Sequence, residues 1–395
     1  MIVLAGGDLV LPDRILSGGS LVIEDGRIVA LDPRDRVEPA GAAIIDVRDL
    51  YVVPGFVDVH VHGLLGFDTL DGAGAIASMA AALPRFGVTA FCPTTLACAP
   101  DPLRTVLAAV RDARVAPRPG SARVLPAHLE SNFINPEYRG AQPLECIRTM
   151  SGLPADGAFT GVDILDVLDA HRPDVGIVTV APEMPGGLDL VARLAGSGHI
   201  VSIGHSGASF EAANEAIDAG VRQATHLFNR MTPMSHRAPG VTGAALAREE
   251  VCAELICDGY HVHPAVCRVA IATKGRSGIM AISDGTAGAG LPAGQTARIG
   301  GRPITVGEHA AFLDDGTLAG SILTMDRVFR TIVTQFWCSV VDAAQLCATT
   351  PARELNLTGF GVIATAATAD LAVLDRGFRV VRTFVAGREA YSREP

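Results

Sequence analysis

Eight short apolar runs, each followed by a longer alanine-rich stretch of helical period, constrain this chain more than any other feature. The runs are 55–62, 88–93, 123–130, 175–181, 199–205, 222–227, 251–258 and 278–284. Strands alternating with helices make a parallel sheet, and eight such units predict an α/β fold that closes into a (β/α)8 TIM barrel. The ends of the chain read differently. Residues 21–31 are apolar on both sides of Asp25-Gly26, a hairpin signal, and 370–375 and 379–385 are two further strands. Two strand-rich ends predict one small β domain built from 1–53 plus 359–395, with a barrel over 54–358. Within the barrel, 207–217 reads as an amphipathic helix and the Met and aromatic residues of 325–337 as core. The glycines of 285–290 resemble a phosphate loop but lack its strand and helix context.

Polar residues stand where these apolar runs end. The ends read His60-Val-His62, His128-Leu-Glu130, Gly204-His205, Thr225-His226, Asp258-Gly-Tyr-His261 and Ser283-Asp284. In a barrel the C-terminal ends of the strands form the active-site rim. Residues i and i+2 of a strand share a face, so His60 and His62 both point into the mouth. One strand-end histidine is ordinarily a core or surface residue. Four histidines, one Glu and one Asp converging from five strand ends are a candidate metal site, formed by His60, His62, Glu130, His205, His226 and Asp284. Mixed imidazole and carboxylate donors suit Zn²⁺, Fe²⁺ or Mn²⁺, with one coordination position left for water.

Composition removes several other chemistries. Of the 32 basic residues 31 are arginine, and the one lysine, Lys274, lies in a context that fits neither a P-loop nor a Schiff base. A net charge of −10 argues against non-specific nucleic-acid binding. No apolar run approaches the roughly 18 residues that cross a bilayer. The first residues, with Asp8, Asp13 and Arg14 among short apolar runs, are no signal peptide, so a cytoplasmic location is expected. Eight cysteines without C-x-x-C spacing read as buried reduced thiols. Residues 219–248 carry Arg222, Arg230, Arg237 and Arg248 and no acid, which predicts an anion pocket beside the rim.

The segments Pro54-Gly-Phe-Val-Asp-Val-His-Val-His-Gly63, Ala181-Pro-Glu-Met184, Gly204-His-Ser-Gly-Ala-Ser209, Thr225-His-Leu-Phe-Asn229, Asp258-Gly-Tyr-His-Val-His-Pro264, Ser283-Asp284 and Leu318-Ala-Gly-Ser-Ile-Leu-Thr-Met325 together resemble the amidohydrolase superfamily. Within it they resemble the N-acetylglucosamine-6-phosphate deacetylases, over nearly the whole chain. The resemblance implies a small β-sandwich from both termini, a homodimer, and hydrolysis of N-acetylglucosamine 6-phosphate to glucosamine 6-phosphate and acetate. It implies main metal ligands at Glu130, His205 and His226. A second ion would sit at His60 and His62 with Glu130 as bridge, giving one or two divalent ions per subunit, Zn²⁺ before Fe²⁺ or Mn²⁺. Asp284 corresponds to the catalytic carboxylate. Asn229, Arg237 and His261 match positions that hold the sugar phosphate, Arg237 within or across subunits.

Two departures bear on the substrate. Gln142 stands where the family has a histidine that polarises the carbonyl, after Ser131-Asn132 in place of Gly-Pro. Arg230 follows Asn229 where a small residue is usual, and could strengthen the phosphate site or crowd it. Deacetylation of N-acetylgalactosamine 6-phosphate therefore stays open beside the gluco reaction, as does, in another class, a non-catalytic scaffold. The cyclic-amide hydrolases of the superfamily bridge their metals with a carbamylated lysine after strand 4; Lys274 lies between strands 7 and 8. The expected partner is a small amino-sugar phosphate, without nucleic acid or membrane.

Overall fold

The computed structural model describes residues 1–32, 41–150 and 158–393. Its barrel strands are β1 (Phe56–Val61), β2 (Val88–Thr95), β3 (Ala127–Leu129), β4 (Val175–Val180), β5 (Ile200–Ile203), β6 (Val221–Ala224), β7 (Cys252–Ile256) and β8 (Ile279–Ile282). They pair in parallel in that order. Every residue of β1 and β2 is buried, as expected for strands covered by helices outside and packed side chains inside. The β8–β1 seam is joined mostly beyond the strand ends. Asp284 N donates to His60 O at 2.9 Å and His62 N to Gly285 O at 2.8 Å. Lower in the barrel, Ser283 Oγ donates to Asp58 Oδ2 at 2.5 Å.

Helices follow where the 3.6-residue period and caps place them. The helix Phe210–Ala219 begins at Ser209, whose side chain accepts from Ala212 N, and buries Ala213, Ala216 and Ile217. The helix Gly161–Ala170 starts with a capping box between Thr160 and Asp163. The third strand, read as one run over 123–130, is broken at Pro126 into Arg123–Val124 and β3, because proline has no N–H for the ladder. Strands β5, β6 and β8 stop one or two residues before His205, His226 and Asp284. Those three have φ of 47°, 32° and 46°, a left-handed conformation no strand accommodates.

Four antiparallel strands between β8 and its helix, Thr296–Ile299, Arg302–Val306, Ala310–Phe312 and Leu318–Ser321, were not anticipated from the sequence. They pack their own apolar cluster, including Ile299, Ile304 and Val306, against Leu96 and Ala287 of the barrel rim. The next helix, Met325–Thr334, buries Met325, Val328, Phe329 and Ile332 as expected. Trp337 corrects the core reading. It lies past the helix end at φ 59°, is 76% exposed, and carries the Arg268 guanidinium 4.4 Å over its ring. The 285–290 turn is no phosphate cradle, since its N–H groups are spent within the fold: Gly285 N on Ser283 Oγ, Thr286 N on Ser321 O, Gly288 N on Thr286 Oγ1 and Ala289 N on Thr286 O. All eight cysteines are free thiols. Among the described residues, no helix is long and apolar enough to cross a membrane.

Both termini build one eight-stranded sheet, ordered Arg388–Ser392, Val380–Val385, Leu371–Leu374, Tyr51–Pro54, Ile2–Val10, Ile15–Glu24, Arg27–Asp32, with Ala43–Asp46 also on Ile2–Val10. The Asp25-Gly26 turn has φ of 48° and 78°, the left-handed pair of a tight hairpin. Tyr51–Pro54 lies between N- and C-terminal strands and passes through Gly55 into β1. A Cβ at Gly55 would stand 2.3 Å from Thr89, so only glycine fits that junction. Asp370 ties sheet to barrel from a buried position. It accepts from Arg123 Nε at 3.2 Å and Nη2 at 3.3 Å, and from Ala386 N at 2.5 Å. Asp370→Ala strands a part-buried guanidinium and a buried N–H, and is expected to cost about 2–3 kcal/mol. A thermal midpoint within one degree of the parent would contradict this role.

Candidate metal centre and substrate cavity

Six side chains from five strand ends meet at the barrel mouth, each at most 7% exposed. Glu130, just after β3, is the hub. Its Oε1 lies 2.7 Å from His205 Nε2 and 2.8 Å from His226 Nε2, and its Oε2 lies 3.3 Å from His62 Nε2. Asp284 Oδ1 stands 3.4 Å from Nε2 of both His60 and His62. The i, i+2 spacing does what the pleat requires: the His60 and His62 Nε2 atoms are 3.2 Å apart. Among the described residues three groups of ligand atoms are close enough to hold an ion: His60/His62/Glu130 and Glu130/His205/His226 share Glu130, and His60/His128/Glu254 lies beside them.

Donor chemistry tests whether a cation fits. His205 Nδ1 faces the Tyr138 carbonyl at 2.8 Å, an oxygen that can only accept, so Nδ1 bears the proton. Its Nε2 lone pair then points at Glu130 Oε1 and, 3.0 Å away, at His226 Nε2. His60 repeats the arrangement, with Nδ1 on Glu254 Oε2 at 2.8 Å and Nε2 turned to the cluster. Acceptors converging at these distances need positive charge among them, either protons or a metal ion. Without an ion, protons fill the role. Burial lowers the affinity of His60 for a proton, but Glu254, Asp284 and Glu130 outweigh it and push the pKa to about 9. For His62, Asp284 and Glu130 outweigh burial and push it to about 10. Burial alone would raise Glu130 and Asp284, yet the surrounding imidazoles hold both carboxyls below their ordinary values.

Above the cluster opens a small, partly open cavity. Asn229, Arg230 and His261 line it, and the inserted sheet adds Ile299, Leu318, Ala319 and Gly320. His261 is locked by Asp258, whose Oδ2 lies 2.5 Å from its Nδ1. Burial opposes its proton, but Asp258 prevails and raises the pKa. Its buried Nε2 has no hydrogen-bond partner among the described residues. Of the four arginines in the acid-free stretch, only Arg230 reaches the cavity. Arg222 holds backbone carbonyls and Arg248 pairs with Asp218 and Glu250. Arg237 is exposed against His236 and does not line this cavity. Gln142 also lines it, and its amide braces the cluster: one N–H of Nε2 donates to Glu130 Oε2, and Oε1 accepts from Ala97 N at 2.8 Å. Lys274 is remote from the cluster, donating to Arg248 O at 2.5 Å.

Glu254 went unread in the sequence, and Glu183 and His128, though they stand in segments noted there, were given no role. Glu254, the one charge within the apolar β7, lies beneath His60, and its charge among Cys, Ala, Leu and Ile was the signal. Glu183 after β4 accepts from Asn135 Nδ2, Ser206 Oγ and Gly207 N, fixing the turn that carries His205. His128 belongs to the floor, with Nδ1 on Val59 O and Nε2 on Thr179 Oγ1; burial depresses it to about 4, so it stays neutral.

The amidohydrolase family profile matches residues 51–390. An N-acetylglucosamine-6-phosphate deacetylase of Bacillus subtilis is 32% identical over 97% of this chain and 95% of its own. An N-acetylgalactosamine-6-phosphate deacetylase of Escherichia coli O157:H7 is 31% identical over 98% and 99%. A solved mutant of the N-acetyl-D-glucosamine-6-phosphate deacetylase of Mycobacterium smegmatis, in complex with N-acetyl-D-glucosamine 6-phosphate, superposes with a TM-score of 0.88. It is 30% identical and covers 99% of both chains.

Protons and a metal ion compete for the same nitrogens, so ion uptake by chelator-stripped protein should release protons at pH 7. Apparent affinity should rise with pH until about 9–10, where His60 and His62 give up their protons unaided. In the ion-free protein the sign is opposite. The stability these raised pKa values confer is complete below about 6.5 and fades as pH passes 9–10. Calorimetry in buffers of different ionisation enthalpy measures the release; uptake without it would contradict the assignment.

Proposed function

The chain belongs to the amidohydrolase family, within it to the N-acetylglucosamine-6-phosphate deacetylases, and we propose that it hydrolyses the N-acetyl group of N-acetyl-D-glucosamine 6-phosphate to D-glucosamine 6-phosphate and acetate. The observation that carries this reading is one cavity with a carboxylate–imidazole cluster at its base and Asn229, Arg230 and His261 in its wall. Glu130, His205 and His226 would hold one divalent ion, and His60 and His62, with Glu130 between the two groups, a second. The nitrogen and oxygen donors favour Zn²⁺, with Fe²⁺ and Mn²⁺ as alternatives. Bound there, such an ion would polarise the amide carbonyl and lower the pKa of bound water towards about 7.

Asp284 does the proton work. Held ionised by the histidines around it, it takes a proton from the attacking water and later returns it to the departing amine. Gln142, engaged at both ends of its amide, keeps Glu130 in place rather than touching the carbonyl as the family histidine would. At the opposite end, His261 and Arg230 offer positive donors to the phosphate, and Asn229 a polar contact. We take the setting to be a cytoplasmic homodimer, in which the exposed Arg237 reaches the cavity of a second copy. Exposed Met234 in the same loop supports that reading.

A second reading, the galacto epimer, is favoured by the nearly equal identity to the Escherichia coli relative. Acetate release from the 6-phosphates of N-acetylglucosamine and N-acetylgalactosamine, with unphosphorylated controls, decides between them. Arg230→Ala should raise KM for the phosphorylated substrate about tenfold or more and leave the unphosphorylated sugar unaffected. No preference for phosphorylated sugars would sink the anion-pocket reading. Asp284→Asn should lower kcat at least about a hundredfold with ion content near that of the parent. Substantial turnover in that variant would remove Asp284 from its role.

A further inference from the structure

Beneath the cluster lies a carboxylate that the reaction does not use. Glu254 is 0% exposed, inside the barrel on β7. One of its oxygens, Oε2, serves two ligand-bearing strands at once. It lies 2.8 Å from His60 Nδ1, on β1, and accepts from the backbone N–H of His226 at 3.2 Å, just past β6. The other oxygen, Oε1, has no hydrogen-bond partner among the described residues, with His128 Nδ1 3.6 Å away. Ser283 Oγ and Asp58 already join β8 to β1, so closing the barrel does not require a second carboxylate at this depth. A half-satisfied buried carboxylate costs folding free energy and needs a reason to be there.

We propose that Glu254 is a positioning residue for both halves of the metal centre. By accepting a hydrogen bond from His60 Nδ1–H it fixes the tautomer that turns the Nε2 lone pair to the cluster. By holding His226 N it stabilises the left-handed backbone, φ 32°, that swings the His226 ring onto Glu130. His205 has an equivalent anchor in the Tyr138 carbonyl. Glu254 therefore supplies to His60 and His226 what backbone and Glu183 supply to the His205 turn. The inference rests on the metal-dependent reading of this site.

The test compares Zn²⁺ affinity and stoichiometry, by chelator competition on the full chain, for the parent, Glu254→Gln and Glu254→Met. Glutamine keeps an oxygen acceptor where Oε2 stands; methionine keeps length and volume without one; both remove the charge. Positioning predicts that Gln stays within about fivefold of the parent while Met weakens Zn²⁺ binding 10–100-fold. Zinc-free Glu254→Met is expected to melt below the parent, since His60 and His226 N–H lose their acceptor, so the deciding readout is zinc affinity at a temperature where all three proteins are folded; a purely structural role predicts parental affinity there. Equal affinities for Gln and Met, or parental affinity for Met, would overturn the proposal. Should Met fail to fold, the nitrogen spectrum of zinc-loaded parent protein decides: His60 carries its proton on Nδ1, and a proton on Nε2 overturns the inference. A parent protein that takes up no divalent ion would instead defeat the metal reading itself.

Discussion

The structure turns on the cost of burying Glu130. A carboxylate at 3% exposure in a barrel mouth persists only if positive charge or donors surround it, and here they arrive from four directions. His62, His205, His226 and the Gln142 amide each come from a different strand end or loop. The constraint propagates outward. Imidazoles that present a lone pair on one side need a fixed acceptor on the other, which brings in Tyr138 O and Glu254. Those anchors in turn dictate where β3, β5, β6 and β7 must end. The rim is less a set of residues placed on a finished barrel than a reason for the barrel's strand ends.

That reasoning also accounts for what could be read from the sequence. Strand–helix alternation depends on local periodicity, so the eight barrel units and the Asp25-Gly26 hairpin were legible residue by residue. The cluster of candidate ligands was legible because unlike residues stood at like places: His60, His62, Glu130, His205, His226 and Asp284 all terminate apolar runs. What escaped notice depends on partners distant in sequence. Gln142 was read as a substrate contact and does line the cavity, but its bonds to Glu130 and Ala97, which brace the cluster, could not be read from spacing. Arg237 looked like its neighbour Arg230, and only the folded loop separates them. The inserted strands of 296–321 run only three to five residues each, too short for the alternation of Thr296–Ile299 and Arg302–Val306 to stand out in the sequence. Trp337 follows an apolar helix but sits past its end, where sequence adjacency says nothing about side-chain direction.

Backbone geometry adds a second layer. His205, His226 and Asp284 each hold a left-handed conformation that costs a non-glycine residue on the order of 1–3 kcal/mol. All three contribute to the cluster, and all three are held by neighbours: Glu183 through Ser206 and Gly207, Glu254 through His226 N, and His60 O with the Leu318–Ser321 strand through Asp284. The inserted sheet thus has two roles, walling the cavity and bonding Ser321 N to Asp284 O at 2.9 Å. Rigidity of this kind suits a site whose groups must converge on one small volume.

The interleaved terminal sheet has a consequence for how the molecule comes into being. Tyr51–Pro54 is synthesised early, yet its antiparallel neighbour Leu371–Leu374 leaves the ribosome more than three hundred residues later. Throughout that interval its outer edge offers unpaired N–H and C=O groups, and the whole barrel must be made before they find their mates. The sheet can therefore close only last, as a clasp drawn over a barrel already assembled, and the nascent chain travels most of its length with that edge open to any other strand it meets.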